Sequence, residues 1–238
     1  MNMADPARDE AMNKAKELLR REAYAEAEAL LLHLIQDMES RLGRDAPELI
    51  DPLYLYARSV SKQRVWNILP TRERAALERA LELAVRLHGE ESPRTKKLRE
   101  NFAVCLNAAG EAALAAAHMA IVVRIAERVH GEGVLLAFAL AGLANILFDL
   151  KRFEEAASLY ERAFKMAGGR GDEVMDFGLL YGQGRCLVEM NRCVDAISFL
   201  ERAHCSCVQR FGERNRITEE VKGWLERAQQ ISCAGQEK

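Results

Sequence analysis

The sequence is poor in turn formers, in aromatic side chains and in net charge. Its 238 residues include only 5 prolines and 15 glycines, and 6% are aromatic. Lysine and arginine (34) nearly balance aspartate and glutamate (36), so no global field marks the chain for nucleic acid or an anionic membrane. The longest uncharged run, Gly133 to Phe148, has 16 residues. That is below the roughly 18–20 needed to cross a bilayer, and Asn145 and two glycines interrupt it, so no membrane insertion is expected. The opening MNMADPARDE is acidic and polar, without the apolar core of a signal peptide or an Arg- and Ser-rich leader. Six cysteines (Cys105, Cys186, Cys193, Cys205, Cys207, Cys233) are scattered instead of forming a compact disulfide framework. Reduced thiols and a cytoplasmic location are the expectation.

Catalytic and metal signatures are missing too. Cys205 and Cys207 are two residues apart, which on a helix points the thiols in different directions. No Cys-x-x-Cys or Cys/His zinc spacing occurs. Ala167-Gly168-Gly169-Arg170-Gly171-Asp172 lacks the lysine and preceding strand of a phosphate loop. Tyr181-Gly182-Gln183-Gly184 falls in mid-helix, where glycine permits close helix contact. There is no His-Glu-x-x-His and no Gly-x-Ser-x-Gly. His33, His88, His118, His130 and His204 are each a general base on paper, but His88 and His130 belong to helix ends and His118 has no acid nearby in sequence. The expectation is a protein without enzymatic activity, cofactor or metal.

What the chain has is helix-forming residues in a repeating order. Ala, Leu, Glu and Arg dominate. An arginine followed shortly by glycine recurs in Arg41-Leu42-Gly43, Arg86-Leu87-His88-Gly89, Arg128-Val129-His130-Gly131 and Arg210-Phe211-Gly212. The first three glycines are 46 and 42 residues apart, and Gly212 lies 81 further on. One more helix end is therefore expected near Gly171. Glycine suits the left-handed residue that closes a helix, and a histidine just before it suits the negative end of the dipole. Between these ends the pattern is helix, turn, helix. Leu140, Leu143, Ala144 and Leu147 form one stripe; after a break at Asp149–Arg152, Phe153, Ala156, Leu159, Tyr160 and Ala163 form the next. Small residues recur at matching places: Ala103, Ala144 and Gly184 on first helices, Ala115, Ala156 and Ala196 on second helices. Helices approach closely only where side chains are short.

The string from Lys151 to Phe164, KRFEEAASLYERAF, resembles the second-helix signature of a tetratricopeptide repeat. The period near 42 and the Leu42-Gly43-x-Asp45-x-Pro47 ending resemble the longer kinesin-light-chain type. The resemblance covers roughly residues 10–230. In the second unit the small-residue register slips, and Val65–Pro70 reads as an insertion at the inter-helix turn. It implies an all-α, right-handed superhelical solenoid of about five helix-turn-helix repeats in a single domain. The repeats span about 7–47, 48–93, 94–132, 133–172 and 173–212, followed by a capping helix at 216–231. Ile217, Val221, Trp224, Leu225 and Ala228 make that cap's dry side.

First helices line the concave groove of tetratricopeptide superhelices. By resemblance, the groove positions fall on Lys97, Glu100, Asn101 and Val104, then on Phe138, Ala141, Gly142, Asn145 and Phe148, and finally on Gly178, Tyr181, Gly182, Arg185 and Glu189. The helix at 133–148 is apolar on every side, so it is either buried all round or sticky toward a partner. Phe138, Phe148 and Tyr181 would make an aromatic floor, while Lys97, Asn101, Asn145 and Arg185 would hold the backbone or acidic groups of a peptide or partner helix. The competing reading has this helix covered by its neighbours and the C-terminal segment. Residues 58–99 carry eleven Lys/Arg against five Glu. Arg74 with Glu78 and Glu82 with Arg86 read as neighbours on a solvated face, and only Trp66 could stack on bases. The expected function is a non-enzymatic adaptor or scaffold that binds another protein and no nucleic acid. The alternative is a structural or assembly subunit of a large complex. The oligomeric state is left open.

Overall fold

The computed structural model describes residues 5–63, 71–167 and 173–236. They form eleven α-helices and one short 3-10 turn, with no strand among the described residues. The helices are α1 (Pro6–Arg20), α2 (Tyr24–Leu42), α3 (Ile50–Lys62), α4 (Thr71–His88), α5 (Pro93–Ala108), α6 (Ala112–His130), α7 (Val134–Asp149), α8 (Phe153–Ala167), α9 (Glu173–Glu189), α10 (Cys193–Phe211) and α11 (Arg216–Gln236). The all-helical repeat class is therefore as expected: five helix pairs, then a single last helix. The insertion at Val65–Pro70 and the helix end near Gly171 lie outside the described residues.

Two kinds of helix end alternate along the chain, and each has a backbone cause. Within a pair, the first helix closes on a left-handed residue: Glu22, Gly110, Lys151 and Asn191, with φ of 60, 82, 59 and 59°. The amide three residues beyond the helix then donates to a leucine carbonyl five residues back. The pairs are Ala23 to Leu18 (2.9 Å), Glu111 to Leu106 (3.0 Å), Arg152 to Leu147 (2.9 Å) and Arg192 to Leu187 (2.8 Å). This is the Schellman closure. Between pairs, Gly43, Gly89, Gly131 and Gly212 also have positive φ. Each makes one bond to the carbonyl four residues back, 2.9–3.2 Å long, the simpler αL closure. The arginine-glycine signature thus marks one class of end only. Lys151 holds a left-handed conformation that costs a side-chain-bearing residue about 1 kcal/mol. Lys151→Gly is accordingly expected to stabilise the protein by up to about 1 kcal/mol, read as a higher urea midpoint at unchanged slope.

The starts of α1 and α5 are fixed by side chains. Asp5 accepts from the Arg8 amide at 3.2 Å and from Arg41 at 2.7 Å, with Pro6 in the first turn. Ser92 caps α5 through the Thr95 amide at 3.1 Å, ahead of Pro93.

The chain divides into two compact units, up to His118 and from Met119 onward, with α6 contributing to both. In the first, α1 to α5 pack consecutively and α1 touches α3; Leu31, Met38, Leu49, Ile50 and Leu106 are its largest fully buried side chains. In the second, α7 to α11 pack consecutively, while α7 touches α9 and α9 touches α11. Here Tyr160, Met119, Leu136, Leu140, Leu179, Leu200 and Val221 are sealed. The recurring small residues sit where the helices cross: Ala103, Ala115, Ala144, Ala156 and Ala196 are all 0% exposed. At Gly184 an added Cβ would lie 2.6 Å from Leu200 Cγ, so that crossing admits no side chain.

Candidate protein-interaction surface

Four of the residues expected in the groove come together in the second unit, on the face shared by α7, α9 and α11. Their arrangement begins with Gly182. Because it has no side chain, α9 rests on the Tyr160 ring of α8, and an added Cβ would stand 2.3 Å from that ring. Tyr160 is thereby sealed, and its hydroxyl donates to Asn145 Oδ1 at 2.8 Å. Asn145 Nδ2 donates back to the Ala141 carbonyl at 3.0 Å, which fixes the amide. Arg185 Nη2 donates to the same Oδ1 at 3.3 Å.

The Arg185 guanidinium lies between two rings, 4.4 Å from the Phe148 centroid and 4.6 Å from that of Tyr181. Cation–π attraction holds it there. Tyr181 donates its hydroxyl to Glu220 at 2.7 Å, and the Trp224 ring meets Phe148 edge-on at 6.1 Å. Both partners come from α11, which Arg227 also ties to Glu189 of α9 at 2.7 Å. With both faces covered and one Nη2 bond made, Arg185 keeps its Nε–H buried and without an acceptor among the described residues. A buried donor left unpaired costs about 1–3 kcal/mol.

Burial, the larger cause, raises the Tyr160 and Tyr181 hydroxyls well above the usual phenol range, and for Tyr181 the bond to Glu220 adds to it; Arg185 opposes both. Both phenols stay neutral donors. Burial likewise pushes the neighbouring Cys186 thiol up to about 12, and raises Cys193 and Cys207. Cys205 and Cys233 are exposed, whereas Cys105, Cys186, Cys193 and Cys207 are buried, and none of the six is in a disulfide. Titration of the native protein with an aromatic disulfide at pH 8 should therefore release two equivalents quickly and four more only on unfolding.

Other expectations change. The aromatic floor is not open, since Arg185 fills the space between Phe148 and Tyr181. Phe138 is 48% exposed and has no ring partner among the described residues. Helix α7 is not uniformly buried or uniformly sticky. Leu136, Ala137, Ala139, Leu140, Ala144, Ile146 and Leu147 are buried, whereas Val134, Leu135 and Phe138 are exposed at its start. On α11, Val221 and Ala228 are sealed, but Ile217 is exposed. Four participants were not legible as site residues: Tyr160, Glu220, Trp224 and Arg227. The available signal was spacing, because Asn145–Arg185, Tyr181–Glu220 and Glu189–Arg227 each span about one repeat.

Lys97 and Asn101 belong to the first unit. Lys97 pairs with Glu100 at 3.3 Å, and Asn101 Nδ2 donates to the Lys97 carbonyl at 2.7 Å. Asn101 lines a cleft of about 320 Å³ between α3 and α5, with Tyr54, Arg58, Lys62 and Val104; Lys97 lines one of about 120 Å³ on the other side of Tyr54. The basic stretch around them is largely neutralised, though by other partners than helical spacing indicated. Arg74 pairs with Glu111 instead of Glu78, and Arg86 with Asp45 at 2.9 Å instead of Glu82. Arg79 pairs with Glu39, Arg94 with Asp51 and Arg99 with Glu90. Long arginines reach the neighbouring helix where its carboxylate lies closer than one on their own turn.

Residues 97–168 match the family model described as tetratricopeptide repeat. The fold is that of the tetratricopeptide repeats. A crystal structure of kinesin light chain nearly identical TPR-like repeats from Podosopora anserina superposes with a TM-score of 0.71 at 16% identity, covering 90% of this chain and 100% of that one. A Rap protein complexed with competence and sporulation factor gives 0.62 at 13% identity, covering 92% of this chain and 64% of that one. MamA AMB-1 gives 0.57 at 19% identity, covering 84% and 96%. No curated protein matches the sequence. Tetratricopeptide folds are generally protein-interaction scaffolds and typically non-catalytic. Among the described residues no helix is long and apolar enough to cross a membrane, and no cluster of three or more His, Cys, Asp or Glu residues could hold a metal.

Proposed function

We propose that the protein is a non-enzymatic adaptor whose α7–α9–α11 face binds a segment of another protein, with Arg185 as receptor for an acidic group of that partner. One observation carries this reading. Arg185 is a cation locked in place between Phe148 and Tyr181, with a buried Nε–H that lacks an acceptor. A carboxylate approaching the outer edge of this fixed guanidinium would make a charge-assisted bond, the stronger kind. The aromatic faces are already covered, so the ligand group is anionic, not apolar. Asn101, Lys97 and the α3–α5 clefts of the first unit would hold a further stretch of partner. That the Rap neighbour is complexed with competence and sporulation factor supports a partner-binding role. Six thiols outside any disulfide suit a reducing, cytoplasmic compartment.

Affinity capture tests it. Proteins retained by the wild type should be lost with Arg185→Glu, while a variant at the exposed, unrelated Lys165 retains them. Equal retention by Arg185→Glu, with its helical circular dichroism unchanged, overturns the assignment. A second reading, an assembly subunit of a large complex, is favoured by exposed Val134, Leu135 and Phe138, which sit together at the start of α7. Under that reading the isolated chain self-associates in size-exclusion chromatography with light scattering, and Phe138→Ser relieves it. An adaptor runs as a defined monomer or dimer.

A further inference from the structure

A second feature of the second unit shares no residue with the Arg185 cluster. Between α9 and α10 lies a cleft of about 440 Å³ lined by Phe177, Leu180, Arg202, Cys205, Ser206, Gln209 and Arg210. That volume falls in the roughly 300–1,000 Å³ range of small-molecule sites. Its floor is apolar. Leu180 is buried, and the Phe177 ring is fixed by stacking on Tyr181 at 6.0 Å and by the edge of Phe211 at 6.4 Å. Its wall comes from one stripe of α10, positions 202, 205, 206, 209 and 210, which follow helical spacing. The stripe runs beside the sealed residues Leu200, Ala203 and Cys207 and is polar where it faces the cleft.

Both cations at the rim are held by rings and not by acids. Arg202 lies 5.8 Å from the Phe164 centroid and Arg210 lies 5.5 Å from that of Phe211. Neither has a carboxylate partner among the described residues, whereas most arginines of the first unit's basic stretch do. Ser206 and Gln209 add a hydroxyl and an amide to the same wall. A hydrophobic floor under two guanidiniums that have no carboxylate partner among the described residues selects a molecule with an apolar body and an anionic head. Desolvating the body against Phe177 and Leu180 drives binding, and the arginines orient the head.

We infer that the α9–α10 cleft binds a small amphiphilic anion, an acyl or aryl chain ending in a carboxylate or phosphate. The exposed Cys205 in its wall gives a built-in reporter, and the exposed Cys233 on α11 gives the control. Alkylation of the full chain by iodoacetamide is followed at each cysteine by peptide mapping. The additions are octanoate, octyl phosphate or neutral octanol, each below its micellar concentration. The expected result is saturable protection of Cys205, at least threefold in rate, by one or both anions, with Cys233 unaffected. Whichever anion protects identifies the head group. Arg202→Gln/Arg210→Gln should abolish the protection, while Arg185→Glu leaves it intact, so that this site and the interaction face stand or fall separately. Failure of both anions to protect Cys205 overturns the inference. So does equal protection of Cys233, equal protection by octanol, or protection that persists in the double variant.

Discussion

Gly182→Ala is expected to lower the melting temperature by several degrees, although alanine is the better helix former in mid-helix. The propensity gain is about 1 kcal/mol. Against it stands a Cβ placed 2.3 Å from Tyr160 Cζ, 2.4 Å from Cε1 and 2.7 Å from the hydroxyl oxygen. The ring is stiff, 1% exposed and bound to Asn145, so it cannot rotate away as an alkyl end would. Either α9 lifts from α8 or Tyr160 gives up its hydrogen bond. Overpacking costs about 1–3 kcal/mol; a Cβ this close to a stiff ring belongs at the upper end, which leaves a net loss of about 2 kcal/mol after the helical gain. Pairing the change with Tyr160→Leu should restore much of the loss, because the obstructing ring is gone. Thermal melting by circular dichroism checks both. A Gly182→Ala protein as stable as wild type would show that the α8–α9 crossing is looser than described.

Acidification should weaken the first unit through His118. Its ring meets Phe102 edge-on at 5.0 Å, and Nδ1 lies 3.3 Å from Arg99 Nη1. Burial is the main cause that holds its pKa below 6.5; Arg99 adds to it, while Glu78 and Glu90 oppose it. Arg99 itself is 5% exposed and paired with Glu90, so its charge cannot easily turn away. The folded chain therefore takes up the proton less readily than the unfolded one. The stability from neutral His118 is complete above the unfolded value near 6.5 and is lost as pH falls below it. Urea midpoints measured from pH 7.5 to pH 5 should fall for the wild type and fall less for His118→Phe, which keeps the edge contact and cannot charge. Identical slopes for the two proteins would assign the acid sensitivity to other groups.

Most of the fold was legible because it depends on short-range periodicity. Ala103, Ala144 and Gly184, and Ala115, Ala156 and Ala196, gave the register of the helix crossings, and a crossing tolerates nothing else there. The arginine-glycine ends announced the breaks between pairs. The breaks within pairs were harder to recognise, since Glu22, Lys151 and Asn191 carry side chains in a conformation that glycine would take more easily. The interaction face was legible in part. Period places Asn145, Phe148, Tyr181 and Arg185 on successive first helices, but it does not say which long side chain fills the space between two rings. Arg185 closes the aromatic floor because a guanidinium stacks on both sides at once, an arrangement that depends on packing and not on order along the chain. Trp224 was read only as part of a cap's dry side, and Glu220 lies on the same helix. Their contacts reach back about one and two repeats, distances at which sequence spacing alone has little resolving power. Phe138 was placed on the face by resemblance to tetratricopeptide groove positions; its side chain is exposed and meets no other ring among the described residues.

The most direct measurement follows the side-chain Nε–H resonance of Arg185, assigned by its loss in Arg185→Lys, as the acidic segment of a captured partner is titrated in. A carboxylate bound at the guanidinium edge should shift that proton downfield and slow its exchange with solvent, with Asn145 side-chain signals moving alongside. If the segment binds while the Arg185 Nε–H stays unperturbed and freely exchanging, the partner docks elsewhere and the α7–α9–α11 face is not the receptor.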